Sequence, residues 1–251
     1  MRACKHAPYI ESQFPQPSII IAAFYLMSGL TLQVYDRLLK AIGPQQWWPG
    51  ETPFEVMVGA VLTQNTNWQN VEKAIRNLRQ ADLLDPHALY NVPVEELEEL
   101  LRPAGYFRIK ARRLRNLLEY LVTRWDGSLQ AMFQAGIYTL REELLAISGI
   151  GPETADSILL YAGGLPAFVV DAYTQRIFAR HGWIGFDSDY HQTQDYIQSC
   201  LPEDVRLYNE YHALLVYAGK HYCHKTKPNC RECPLMEMLP EGGPLEPEYF
   251  N

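Results

Sequence analysis

The chain is short of positive charge. Its 251 residues carry 22 Lys and Arg against 29 Asp and Glu, a formal net charge of −7. That balance excludes a protein that holds nucleic acid by bulk electrostatics, so any grip on a phosphate backbone has to be local and made largely by main-chain groups. Cysteine is scarce as well: Cys4, Cys200, Cys223, Cys230 and Cys233. Three of these crowd into residues 223–233, which is not the spread framework of a disulfide-stapled secreted domain. A reducing, cytoplasmic setting is expected. Long apolar runs are missing too. Ser18 to Leu32 is too short and too broken by polar residues for a membrane span. Only Arg2, Lys5 and His6 precede it, and Ala22-Ala23 is a weak cleavage context, so it makes a poor signal peptide. Residues 1–30 therefore read as a leader or an extension ahead of a start at Met27. Alternation of period two is absent, which excludes a β-sheet core, and no internal repeat is present.

What the sequence does have is helical periodicity. Leu114, Leu117, Leu118 and Leu121 form one apolar stripe, and Val94, Leu97, Leu100 and Leu101 another. Breakers such as Gly43-Pro44, Pro49-Gly50, Pro86, Pro93, Pro103, Gly127, Gly163-Gly164 and Pro202 cut the chain into many short helices. The fold class is all-α. Sixteen Tyr and five Trp supply rings that serve either a core or a pocket for a flat ligand. Residues 240–251, rich in Pro, Gly and Glu, read as a disordered tail.

The most informative stretch is Leu144 to Ile158. One amphipathic helix ends, Gly149-Ile150-Gly151 follows, and a second helix opens on Pro152. Glycine tolerates the positive φ of a tight hairpin, and proline suits a first helical turn, where its missing N–H would be unpaired. The hairpin is expected to present backbone amides to a phosphate, with no Lys or Arg required. Thr154 sits in the same first turn. Alone, the pattern fits a plain helix–turn–helix packing element equally well. Beyond the second helix come Gly163-Gly164, the apolar run Leu165 to Val170, and then Asp171 at the start of another helix. An Asp there caps a helix well.

This order resembles the signature of the helix-hairpin-helix DNA glycosylases, endonuclease III-like, and the spacing from Gly151 to Asp171 matches theirs. The resemblance implies that Asp171 is the catalytic carboxylate, facing the positive charge that grows on the sugar as an N-glycosidic bond breaks. Family members that also nick the strand carry a Schiff-base lysine in the second hairpin helix; here that position is Glu153, which implies a monofunctional enzyme. Pro53 to Thr66 resembles the segment that carries the base-displacing glutamine, so Gln64 would fill the gap left by a flipped nucleotide. Gly105 to Ala111 resembles a family turn, within a basic cluster (Arg102, Arg108, Lys110, Arg112, Arg113, Arg115) that is either a solvated face or a phosphate contact. Trp47-Trp48-Pro49, together with Glu153, resembles the 3-methyladenine glycosylase branch. Those rings would stack a cationic damaged base, worth ~0.5–2 kcal/mol per contact; packing in a core is the other reading.

Near the C-terminus the chain reads Cys223-x6-Cys230-x2-Cys233-Pro234, which resembles the family's iron–sulfur loop, and the segment up to Lys220 fits the same pattern. The fourth cysteine is replaced by Leu239. A 4Fe–4S cluster is expected, with Cys200, His224 or water completing it; zinc with a histidine is the alternative. The resemblance implies two helical lobes. Residues 52–165 form a barrel with the hairpin, and 31–51 plus 166–239 form the cluster-bearing lobe, with double-stranded DNA containing a damaged base lying between them. A monomer is expected. A bifunctional lyase, a mismatch glycosylase and an inactive iron–sulfur DNA-binding module stand as alternatives.

Overall fold

The computed structural model describes residues 17–247, and side chains from residue 29 onward. The first half of the expected leader, residues 1–16, and the last four residues of the expected tail lie outside the described residues. All regular structure among those described is helical. Helix α1 spans Pro17–Ile42, α2 Pro53–Leu62, α3 Trp68–Gln80, α4 Pro86–Asn91, α5 Val94–Leu101 and α6 Phe107–Trp125. Then follow α7 Leu129–Gln134, α8 Ile137–Ala146, α9 Pro152–Ser157, a π-helical turn Ile158–Ala162, α10 Ala172–Arg180, α11 Tyr190–Ser199 and α12 Val205–His221. The boundary expected at residue 30 falls inside α1, which is continuous there. No helix among the described residues is long and apolar enough to cross a membrane.

Helix starts follow local chemistry. Thr52, Asn67, Asp85, Ser128, Asp171, Asp189 and Asp204 each precede a helix and accept a hydrogen bond from the amide three residues on. Proline opens α2, α4 and α9, where no amide partner is lost.

Two apolar cores result. One gathers Met57, Leu62, Leu78, Leu97, Leu114, Leu118, Leu140, Leu144, Ile158 and their neighbours from α2 to the π turn. The other joins Val34 and Leu38 of α1 to Phe168, Phe178, Ile197, Tyr208, Tyr211 and Leu215. Ile150 belongs to the first core and is buried, so its side chain offers nothing to a ligand.

One buried acid bridges helices on either side of the two cores. Asp156 of α9 is fully buried and accepts two hydrogen bonds from Arg141 of α8, Nε at 2.7 Å and Nη2 at 3.0 Å. From α11 it also accepts from Gln194 Nε2 at 2.7 Å and Tyr190 Oη at 2.9 Å. Arg141 reaches Gln194 as well, at 3.2 Å.

The basic cluster does not act as a unit. Lys110 is buried, and its ammonium donates to the carbonyls of Leu62 (2.8 Å) and Ala104 (2.7 Å), clipping α2 to the turn before α6. Burial, with the Arg113 charge beside it, lowers its pKa to about 8. Arg115 is bound to the carbonyls of Tyr90 and Val92, and Arg102 pairs with Glu99. The periodicity of α6 explains the difference: Lys110, Ala111, Leu114 and Leu118 share its inward face. The tail also differs from its expected disorder at two positions. The Leu245 amide donates to the Arg180 carbonyl at 2.9 Å, and Glu246 pairs with the Arg180 guanidinium at 3.0 Å.

Replacing Asp156 with Ala strands the half-buried Arg141 guanidinium and two amide or hydroxyl donors. Denaturant unfolding is expected to show a loss of about 3–5 kcal/mol, whereas Glu99→Ala, on the exposed Arg102 pair, is expected to leave the unfolding midpoint nearly unchanged.

Candidate active site

Between the two cores lies a cleft of about 960 Å³, within the range of small-molecule sites. It brings together Trp47, Trp48, Gln64, Glu153, Thr154, Asp171 and Lys220, residues that are far apart in the chain. Pro49 does not line it and is exposed. Gly149, Ile150 and Gly151 line a shallower hollow that shares Gln64, Glu153 and Thr154 with the cleft.

Asp171 is placed by its own helix. Its backbone is extended (φ −117°, ψ 179°), and its Oδ1 accepts from the Thr174 amide at 2.7 Å and the Thr174 hydroxyl at 2.9 Å. Those two bonds fix the side chain's direction and leave Oδ2 without such ties. The side chain is 12% exposed, and Oδ2 lies 3.8 Å from His212 Nε2. Glu153, on the first turn of α9, shares the cleft. The residue is exposed overall, and at the cleft desolvation first and then the Asp171 charge raise its pKa to about 7. The two acids thus have different environments in one cavity, the arrangement that separates proton-holding from charge-stabilising roles.

Three tryptophan rings, Trp47, Trp48 and Trp68, line the cleft as well, and the Tyr161 ring backs them. Trp48 meets Trp47 at 5.5 Å, Trp68 at 5.2 Å and Tyr161 at 5.2 Å between ring centroids. The Lys220 ammonium stands 6.0 Å from the Trp47 ring centroid. The loop carrying the tryptophans is tied to α12 by the Gln45 amide, which donates to Glu210 at 2.6 Å.

Gln64 joins the cleft to the hairpin. Its amide nitrogen donates to the Gly149 carbonyl at 3.1 Å and to the Thr154 hydroxyl at 2.9 Å, and Arg113 donates to its carbonyl. Arg113 is the one member of the basic cluster beside the hairpin. Of the two glycines only Gly149 needs its freedom: its φ is +97°, and a Cβ there would lie 2.3 Å from Arg113 Cγ. Gly151 has φ −96° and open space around it. The Ile150 amide is already used within the turn, donating to the Ile147 carbonyl at 3.0 Å.

The cysteine loop packs against α10 and α12. Cys223, Cys230 and Cys233 line one small pocket with Leu239, His181 and Arg180. Burial raises the thiols of Cys230 and Cys233, the latter to about 11, and each is raised further by the neighbouring sulfurs. Such a set favours thiolates only with a cationic group between them. Among the described residues no three His, Cys, Asp or Glu are grouped to hold a single metal ion. Cys200 is buried near Tyr196 and Tyr211, and His224 lines the large cleft, so neither stands at the fourth corner. Arg176 ties the loop to the cleft, donating to the Cys223 carbonyl at 2.8 Å while its guanidinium sits 5.1 Å from the Tyr173 ring centroid.

Residues 58–203 match the model of the HhH-GPD superfamily base excision DNA repair proteins. The chain belongs to that family. In enzyme class it is a DNA glycosylase of base excision repair. A protein of Methanocaldococcus jannaschii, provisionally named a DNA repair glycosylase, is 47% identical over 82% of this chain and 94% of its own length. Among solved structures, endonuclease III in a non-covalent complex with DNA superposes with TM-score 0.73 at 25% identity, covering 86% of this chain and 96% of that one. A 3-methyladenine DNA glycosylase of H. pylori bound to 1,N6-ethenoadenine gives 0.66 at 29%, covering 77% and 97%.

Sequence reasoning missed Trp68, Tyr161 and His212. One signal was available: His212, Val216, Gly219 and Lys220 follow helical spacing on α12, and all line the cleft.

Glu153 supplies a pH test. Its folded pKa (about 7) exceeds that of an ordinary glutamate (4.5), so the folded state binds more protons between those values. Stability from this group is then present below pH 4.5 and lost as pH rises through 7. Glu153→Gln is expected to raise the melting temperature at pH 8 but not at pH 4.5; equal shifts at both would contradict a raised pKa.

Proposed function

We propose that this enzyme is a monofunctional glycosylase that excises an alkylated purine such as 3-methyladenine. The observation that carries the reading is the meeting, in one cleft, of a capped carboxylate, an aromatic wall and a glutamate at the position where strand-nicking relatives keep a lysine. Gln64, on the hairpin side, fills the space of the extruded nucleotide. Trp47 and Trp48 attract the cationic ring of a methylated purine. As the C1′–N bond breaks, its electron pair stays on the base and positive charge builds on the sugar, opposite Asp171 Oδ2. Water then bonds to C1′ and gives up a proton to a carboxylate. Glu153, holding its proton near neutral pH, suits transfer to the departing base. A methylated purine leaves readily, so that help is modest. The hairpin around Gly149 and Gly151, with Arg113 beside it, meets the phosphate backbone, which is how an acidic chain engages DNA locally.

Cys223, Cys230 and Cys233 would hold three corners of a 4Fe–4S cluster. Bound there, the cluster would brace the loop of Lys225, Lys227 and Arg231 against DNA. Leu239 leaves the fourth corner to a ligand from outside the loop's thiols; zinc is the alternative occupant. A second functional reading rests on Lys220, whose amine lines the cleft and would supply an imine if it reached C1′.

Duplexes that are alkylated by dimethyl sulfate, or carry uracil or 8-oxoguanine, decide among these. Release of alkylated bases without strand nicking, and no adduct on borohydride reduction, is expected; a trapped adduct lost in Lys220→Ala would establish the second reading. Asp171→Asn is expected to lose at least about 100-fold in base release while still binding DNA. Anaerobically purified protein is expected to show visible absorbance and bound iron, both lost in Cys230→Ser; iron-free protein containing zinc would reverse the metal assignment.

A further inference from the structure

The cleft holds one buried histidine to which the reading above gives no part. His212 on α12 is 5% exposed. Its Nδ1 is 2.5 Å from the Tyr161 hydroxyl. Its Nε2 is buried without a hydrogen-bond partner and lies 3.8 Å from Asp171 Oδ2. That separation is too long for a hydrogen bond and short for an accidental approach.

The proton positions follow from chemistry. Tyr161 is buried among Asp171 and Glu153, and both its burial and their charges push its pKa well above 10. Its hydroxyl therefore keeps its hydrogen, and His212 Nδ1 is the acceptor beside it. Burial lowers the pKa of His212, with Asp171 opposing, so the ring is neutral and carries a single proton. If Nδ1 accepts from Tyr161, that proton sits on Nε2, the atom facing Asp171. The opposite tautomer would leave the Tyr161 hydrogen with no acceptor and turn a bare nitrogen lone pair toward a carboxylate. Three groups from three elements thus align: the π turn at 158–162 carries Tyr161, α12 carries His212, and the start of α10 carries Asp171. A π-helical turn at this point is itself a common mark of functional sites.

We propose that Tyr161 locks His212 in its Nε2–H tautomer, and that His212 is a positioning residue that donates to Asp171 Oδ2 when DNA closes the 3.8 Å gap. Asp171 would then be held at both oxygens, Oδ1 by Thr174 and Oδ2 by His212, with its charge aimed at the sugar. Trp48 leans on Tyr161 at 5.2 Å, so a base stacked on Trp48 presses on the first member of this chain. The inference rests on Asp171 as the catalytic carboxylate, but the tautomer can be read without any activity.

Two measurements test it. In protein labelled with 13C and 15N at histidine, His212, assigned by loss of its signal in His212→Gln, is expected to show an unprotonated Nδ1 and a protonated Nε2. Tyr161→Phe is expected to mix the tautomers. Single-turnover base release is then followed on whichever of the alkylated, uracil or 8-oxoguanine duplexes wild type processes fastest. His212→Leu is expected to slow release about ten- to hundredfold, the worth of one hydrogen bond to a charged group, and Tyr161→Phe, which leaves roughly half of the rings in the productive tautomer, about twofold, with DNA affinity unchanged in both. His212→Gln, whose amide reaches where Nε2 stood, is expected to recover most of that loss. Should His212→Leu fail to fold, Tyr161→Phe, which removes one oxygen, carries the kinetic arm. An Nδ1–H tautomer overturns the proposal. So does release at wild-type rate in Tyr161→Phe and His212→Leu while Asp171→Asn is inactive. Full activity in Asp171→Asn removes both this inference and the reading beneath it.

Discussion

Everything in the cleft depends on the buried carboxylate of Asp156. The walls of the site belong to different cores: Gln64, Glu153 and Thr154 to one side, Asp171, His212 and Lys220 to the other. Leu160 of the π turn packs into the second core, and beside that contact the joint between α8–α9 and α11 sets their spacing. That joint is polar. Arg141, Tyr190 and Gln194 all converge on one acid with no exposure to solvent. Burying a charge is costly unless it is fully paired, and here four donor atoms meet it. An apolar seam would hold the lobes together, but it would tolerate sliding; directional bonds fix their relative position, which a reaction needing sub-ångström placement requires.

The same logic divides labour among the acids. Asp156 is saturated with donors and serves the scaffold. Asp171 has one oxygen tied by Thr174 and the other, facing His212, outside hydrogen-bond range. Glu153 has its charge disfavoured by its surroundings and by Asp171. Three carboxylates within a short stretch of the fold thus differ because of their partners, not their identity. The overall acidity of the chain does not extend to this region, where Arg113 beside the hairpin and Lys220 in the cleft concentrate positive charge.

Much of this was legible in the sequence. Apolar spacing and breaker residues specify an all-helical chain, and cap residues mark where its helices begin. The Gly-Ile-Gly hairpin, Gln64 and Asp171 stand in an order that places them on one side of the molecule. What eluded reading were features set by tertiary neighbours. Lys110 looks like part of a basic face, but its helical phase turns it inward, where two carbonyls receive it. Ile150 looks like a hairpin tip, but it packs into a core. Gly151 looks as necessary as Gly149, but only Gly149 has a left-handed backbone and Arg113 against it. Tyr161 carries no local signature, and what joins it to His212 is a contact between residues 51 positions apart.

Arg180 has a consequence beyond packing. Its guanidinium holds the carbonyls of His224 and Lys225, while Glu246 and the Leu245 amide reach back to the same residue. The final stretch is thereby a strap across the cysteine loop. Trimming the chain ahead of Leu245 would unfasten it, exposing the sulfurs to oxidants and chelators while leaving both cores intact. Shortened versions of this protein, made for convenience in crystallisation, would then differ from the longer chain in the reactivity of these thiols rather than in heat resistance.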